Sequence, residues 1–185
     1  MAHIPIQPGL PGITGLLEYR LDSAKPIREL TQVLMRGEST LTFAERELIA
    51  TYVSFLNECT FCTRAHEATA NALFENTTIV DSVKWNVYNA PISEKLKALL
   101  IIAQKTQLNG KTVSKEDVEN ARVHGATDLE IHDTVLISSL FCLYNRYVDG
   151  LASWTPEDSG FYQKLADRLV NHGYMGTTKP VVHEE

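Results

Sequence analysis

The chain has 185 residues, with 17 basic and 23 acidic side chains for a net charge of −6, 44% hydrophobic residues and 22% charged ones. That is enough chain for one soluble domain with a real core. The Lys and Arg residues are scattered, which excludes a basic patch for nucleic acid or for an anionic membrane. Three cysteines are too few, and odd in number, for a secreted disulfide scaffold. The start, Met1 to Pro8, shows no basic region followed by an apolar core, and the longest apolar stretches, 98–103 and 135–143, are too short to span a bilayer. A reducing, cytoplasmic setting is expected.

Pro5, Pro8 and Pro11 alternate with Gly9, Gly12 and Gly15 at the start, which predicts an extended arm over 1–22, lying on the surface or on a neighbouring subunit. Ile4, Ile6, Leu10 and Ile13 are apolar and want burial, so contacts between subunits are expected there. Ser23 is the expected cap of a helix to about Arg36, with Ile27, Leu30, Val33 and Leu34 on one face. Thr42 with Glu45 three residues on is a capping box, and the stripe behind it is Leu48, Tyr52, Phe55 and Leu56. The next helix runs to about Phe74, and a shorter one spans Val80 to Tyr88, stopped by Asn89-Ala90-Pro91. Ser93 caps a run from Glu94 to Leu108. Ser114 with Asp117, and Thr127 with Glu130, repeat the capping-box pattern, the latter opening the longest helix, to about Val148. A last helix covers Ser159 to Asn171 and ends at Gly173. No period-two alternation is present, so the expected fold is all-α, about eight helices with no sheet. The expected division is a single domain: the arm, a core over 23–152, a C-terminal helix within 153–173 and a flexible tail over 174–185.

The chemistry concentrates in Cys59-x-x-Cys62-x-x-x-His66. On a helix, residues three and four apart share a face, so two thiols and an imidazole point into one volume. Two such thiols can cycle between dithiol and disulfide, and thiolate is the reactive form. The helix dipole favours Cys59, at the helix start, as the acidic thiol. The imidazole at i+4 favours Cys62. Spacing alone leaves that tie open. Glu47 lies in the preceding helix among Ala50, Thr51 and Ser54, a small and polar face that suits a carboxylate orienting His66; the alternative is a solvated surface residue. The pair of cysteines can also be read as half of a zinc site or as buried structural thiols. A haem motif needs His directly after the second Cys, where Thr63 stands. Cys142 reads as a core side chain, His124 and His132 as surface or cap residues, and Trp85 and Trp154 as packing groups. Asn145-Arg146 is a polar pair in an apolar stretch, either a buried hydrogen bond between helices or a site-lining group.

Glu47, an eleven-residue gap and then Cys59-x-x-Cys62-x-x-x-His66 resemble the core of the alkylhydroperoxidase D / carboxymuconolactone decarboxylase superfamily. The segments Tyr52 to Cys59 and Phe141 to Leu151 are similar to its peroxidase-related branch, and the resemblance covers residues 25–152. It implies a compact all-α domain assembled as a homo-oligomer, a trimer or hexamer, with no cofactor or metal. It implies an antioxidant oxidoreductase, with Cys62 as the peroxidatic thiol and Cys59 resolving its sulfenic acid into a redox-active Cys59–Cys62 disulfide. His66 and Glu47 would form the proton relay, through a water. A peroxide or disulfide would be the substrate, and a lipoyl-type or thioredoxin-like dithiol the reductant. The best-studied members carry a second His between the cysteines, and Phe61 stands there instead. The decarboxylase branch typically lacks the paired cysteines, so lactone decarboxylation ranks low. The competing class is a redox-sensing or metal-binding helical oligomer without turnover.

Overall fold

The computed structural model describes residues 2–175. They form nine α-helices and two short 3₁₀ turns, with no strand among them. The helices are α1 (Ile13–Tyr19), α2 (Leu21–Arg36), α3 (Phe43–Leu56), α4 (Thr60–Phe74), α5 (Thr78–Trp85), α6 (Glu94–Asn109), α7 (Lys115–Val123), α8 (Asp128–Gly150) and α9 (Ser159–His172). The fold is all-α, as expected.

The centre of the molecule is α3. Its start is set locally: Thr42 Oγ1 accepts from the Glu45 amide, and the Glu45 carboxylate accepts from the Thr42 amide. Ten of its 14 residues are buried, from Ala44 to Ser54. A helix buried on nearly every face belongs to the core rather than to its surface. It packs most extensively on α4 and also on α8, α6, α5 and α2. The expected stripe is therefore only part of the contact: Leu48 and Tyr52 are buried, whereas Phe55 at the helix end is exposed. Helix α4 lies between α3 and α9, and α8 between α3 and α6. Buried hydroxyls on these helices are satisfied at home: Thr51, Thr69, Thr134 and Ser138 each donate to the carbonyl four residues back.

Several elements differ from the expectations. Helix α2 begins at Leu21 behind Arg20, not at Ser23; the Ser23 hydroxyl donates to the Arg20 carbonyl instead of capping. Its buried residues are Ala24, Thr31, Leu34 and Met35, while Leu30 and Val33 face outward. The shorter helix starts and stops earlier, as α5, and is followed by a 3₁₀ turn at Val87–Asn89. Trp85 is 91% exposed, so it is no packing group.

The N-terminal segment is not an extended arm throughout. It contains α1 and folds back on its own chain. The His3 amide donates to the Leu151 carbonyl and the Gly12 amide to the Trp154 carbonyl, and Ser153 Oγ donates to the Gly12 carbonyl. Leu10, Leu16 and Leu17 are buried there. Gly12 has φ +55°, and a Cβ added to it would overlap the Phe61 ring. Glycine is required at this close approach.

A buried arginine ties α2 to α3. The Arg46 guanidinium donates to the carbonyls of Leu34, Gly37 and Leu41, including those left open at the end of α2. This holds the α2–α3 connection and with it the neighbouring Arg36. Of the expected tail, Tyr174 and Met175 belong to the described residues, and 176–185 lie outside them.

Candidate active site

The turn between α3 and α4 sets the first thiol. Glu58 has φ +58°, the left-handed conformation, and the Cys59 amide donates back to the Ser54 carbonyl at 3.1 Å. This is a Schellman-type helix end, with glutamate where glycine is usual. Cys59 then becomes the N-cap residue of α4. Cys62 lies in the first turn of α4 and His66 one turn further on, both buried, and all three cysteines are free thiols.

Glu47 projects from α3 toward α4 and is fully buried. It is not a solvated face residue. Its Oε2 meets His66 Nδ1 at 2.7 Å. Its Oε1 accepts from Arg36 Nη2 at 2.6 Å and from the Tyr174 hydroxyl at 2.6 Å. Burial raises the carboxyl's pKa, but the His66 hydrogen bond, the charges of His66 and Arg36 and the Tyr174 hydroxyl outweigh it and hold the group below its usual range. A carboxylate therefore faces His66 Nδ1, which must carry the ring proton toward it. That leaves Nε2 as the basic nitrogen.

The imidazole is fixed on other sides as well. Phe141 packs edge-on to it, with centroids 4.5 Å apart, and the Tyr174 ring lies nearly parallel, at 6.3 Å. Tyr174 is itself held at both ends, by its amide to Gln32 Oε1 at 2.7 Å and by its hydroxyl, and the Arg36 guanidinium lies 5.1 Å from its ring centroid. Tyr174 thus leaves the expected loose tail and joins the site.

Cys62 and His66 line one cavity, with about 70 Å³ of room; Cys59 is not among the lining residues. The Cys62 thiol is held well above its usual pKa, first by hydrogen bonding with Cys59, then by burial and by the charge of Cys59, with Asn145 pulling the other way. The cavity thus reaches Cys62 and not Cys59. Asp149 carries a carboxyl raised by burial and lowered by a hydrogen bond from Cys59. The neighbouring Asn145 is buried, donates to Ser54 Oγ at 3.0 Å and accepts from Asn57 Nδ2 at 2.8 Å. Asn145 thus joins α8 to α3, and it is not among the residues that line the cavity. Arg146 is exposed, on the Asn57 side chain.

Apart from Phe61, the remaining candidates lie away from the Glu47–His66 pair. Cys142 is half-buried, and its sulfur accepts from Asn57 Nδ2 at 3.4 Å. His124 caps the end of α7, and His132 pairs with Asp133 at the surface. Trp154 is 43% exposed. Phe61 is buried against Phe161 and Tyr162 and forms part of the cavity wall. Among the described residues no group of three or more His, Cys, Asp or Glu is arranged to hold a metal ion, and no helix is long and apolar enough to cross a membrane.

Residues 22–85, which include Glu47, Cys59, Cys62 and His66, match the model of the carboxymuconolactone decarboxylase family. The fold matches an uncharacterized peroxidase-related protein from Silicibacter sp. TM1040, at 26% identity and TM-score 0.75, over 83% of this chain and 78% of that one. It also matches an alkylhydroperoxidase AhpD core, an uncharacterized peroxidase-related protein from Ralstonia eutropha JMP134, at 27% identity and TM-score 0.75, over 84% and 80%. These likenesses support the alkylhydroperoxidase D-like, carboxymuconolactone decarboxylase superfamily. A protein of unknown function from Agrobacterium tumefaciens shares the fold at 18% identity and TM-score 0.68, over 85% and 100%. No curated protein matches the sequence. The matched family segment stops before Tyr144, Asn145, Arg168 and Tyr174, so these parts of the site lie outside it. Sequence reasoning missed Tyr174, and read Arg36 only as a helix end. An aromatic residue directly after a helix-ending glycine was the available signal, since such positions often pack back on the last turn.

Proposed function

We propose that the protein is a cysteine-based peroxidase or disulfide reductase that cycles Cys59 and Cys62 between dithiol and disulfide. The observation that carries the reading is that Cys62 and His66 share a cavity while a buried carboxylate holds the far side of the imidazole. His66 Nε2 takes the proton of Cys62, and Glu47 stabilises the imidazolium that results. The thiolate attacks the outer oxygen of a hydroperoxide; the O–O bond breaks, Cys62 becomes a sulfenic acid, and the alkoxide leaves as an alcohol with the proton from His66. Cys59 then attacks the Cys62 sulfur, and hydroxide leaves as water with the Cys59 proton. A dithiol of lipoyl or thioredoxin type returns the two electrons and reopens the disulfide. A cytoplasmic, cofactor-free homo-oligomer belongs to the same reading, supported by large apolar side chains left at the surface of the single chain, Trp85 and Leu108 above all.

One observation favours the competing reading, a thiol pair that senses without turning over. Cys62 is buried and its thiol is held well above the ordinary range, which slows attack on peroxide. Peroxide consumption is followed for the wild type and Cys62→Ser with dithiothreitol, dihydrolipoamide and thioredoxin in turn. Sustained consumption that Cys62→Ser abolishes is the expected result. Oxidation that stops after one equivalent with every reductant would replace the enzyme by the sensor.

A further inference from the structure

The cavity in front of Cys62 carries a charge pattern that peroxide reduction alone does not need. Its two arginines are Arg28, from α2, and Arg168, from α9, and no carboxylate is among its lining residues. The chain as a whole has net charge −6, so the pattern runs against the overall field. Both guanidiniums border this one cavity, and burial first, then the charge of Arg28, lower the Arg168 pKa. A guanidinium carries five N–H donors in a planar fork, more than one partner takes up, and that fork matches the two oxygens of a carboxylate. Arg28 also holds a carboxylate of its own chain, with Nη2 at 2.5 Å from Glu18 Oε1.

The rest of the cavity is suited to a small organic body. Tyr144 and Thr31 pair their hydroxyls at 2.5 Å. Burial pushes the Tyr144 phenol up to about 12, with Thr31 and Arg28 pulling down and the charge of Cys62 pushing up. Tyr144 is thus a neutral hydrogen-bonding group that feels both Arg28 and the thiol. Ile13, Leu17, Phe61 and Leu165 supply an apolar wall.

We propose that this cavity selects compact organic hydroperoxides that carry a carboxylate, held by Arg28 and Arg168 while the peroxide group meets Cys62. The reaction rests on the peroxidase reading above; the ligand class rests on the two arginines. The outer peroxide oxygen passes to the Cys62 sulfur, the inner one leaves as an alcohol with the proton from His66, and the carboxylate is unchanged.

The test compares tert-butyl hydroperoxide with a β-hydroperoxy acid of similar size as single-turnover oxidants of the reduced protein. Pivalate, which has no peroxide, is titrated separately by calorimetry. Wild type is expected to prefer the acid by at least about tenfold and to bind pivalate. In Arg168→Gln, checked by melting, the ratio of the two rate constants is expected to fall by about tenfold to hundredfold, and pivalate binding to weaken in parallel. A wild type that oxidises equally fast with both peroxides and does not bind pivalate overturns the proposal, whatever the variant does. If neither peroxide oxidises the thiols, the peroxidase reading fails, and pivalate binding still decides whether the cavity takes anions.

Discussion

Glu47→Gln separates the two duties of the buried carboxylate. Glutamine keeps the shape and removes the charge, but its amide nitrogen must face either His66 or the Arg36–Tyr174 side, where a donor already stands. The Arg36 side chain is only 6% exposed, so the variant strands a buried guanidinium. Breaking a buried pair in this way costs about 3–5 kcal/mol, against about 5–15 kcal/mol for a whole domain. The variant is expected to fold and to melt clearly lower. Its rate of thiol oxidation by tert-butyl hydroperoxide, read by stopped flow near neutral pH, is expected to fall at least about tenfold, since acid–base assistance is typically worth about 10²–10⁴. The deficit should shrink only as the pH rises through the folded pKa of Cys62, which lies well above the ordinary thiol value of 9.0, because no base is needed beyond it. Pairing the change with Arg36→Met removes the stranded charge and should restore much of the melting temperature without restoring the rate. The pH dependence has a definite sign. The folded pKa of Glu47 lies below its ordinary 4.5, so the carboxylate stabilises the fold above that value and stops doing so as the pH falls through the folded pKa. The melting curves of wild type and Glu47→Gln should therefore converge in acid. A folded Glu47→Gln protein with the wild-type rate at neutral pH would refute the relay.

Gly12→Ala should destabilise the protein by about 2–5 kcal/mol, from the left-handed backbone and the overlap with Phe61; an unchanged urea midpoint would mean that the N-terminal segment does not pack on the cavity wall. Peroxide treatment followed by peptide mapping should show a Cys59–Cys62 bond with Cys142 free, and dimedone should trap a sulfenic acid at Cys62 in Cys59→Ser; trapping at Cys59 in Cys62→Ser alone would exchange the roles. In alkali, the Cys62 and Tyr174 groups both have folded pKa values well above the ordinary 9.0 and 10.0, so the stability they contribute is full below those values and is lost as the pH rises through the folded ones. Wild type should lose melting temperature from about pH 9 upward, and Tyr174→Phe should lose less over the same range; equal losses would remove Tyr174 from the buried relay.

What the sequence determined by itself was local. The capping boxes at Thr42, Ser114 and Thr127 are all present, because each closes within three residues and needs no partner from elsewhere. The all-α class follows from the same local periodicity, and the positions of Cys62 and His66 on one helix follow from their spacing. Burial depends on what arrives from far along the chain, and there the tertiary structure decided. Leu30, Val33 and Trp85 are apolar yet exposed, because no other element among the described residues covers them. Glu47 and Arg46 are charged yet buried, because α3 is enclosed by neighbours and their partners come from α2, α4 and the segment after α9. Nothing local marked Arg28, Tyr144, Arg168 and Tyr174 as neighbours of one thiol, since they lie on segments up to 146 positions apart. Spacing left the choice between Cys59 and Cys62 open and the resemblance implied Cys62; tertiary packing adds a cavity with a wall built by α1, α2, α4, α8, α9 and Tyr174, which meets Cys62 alone of the pair.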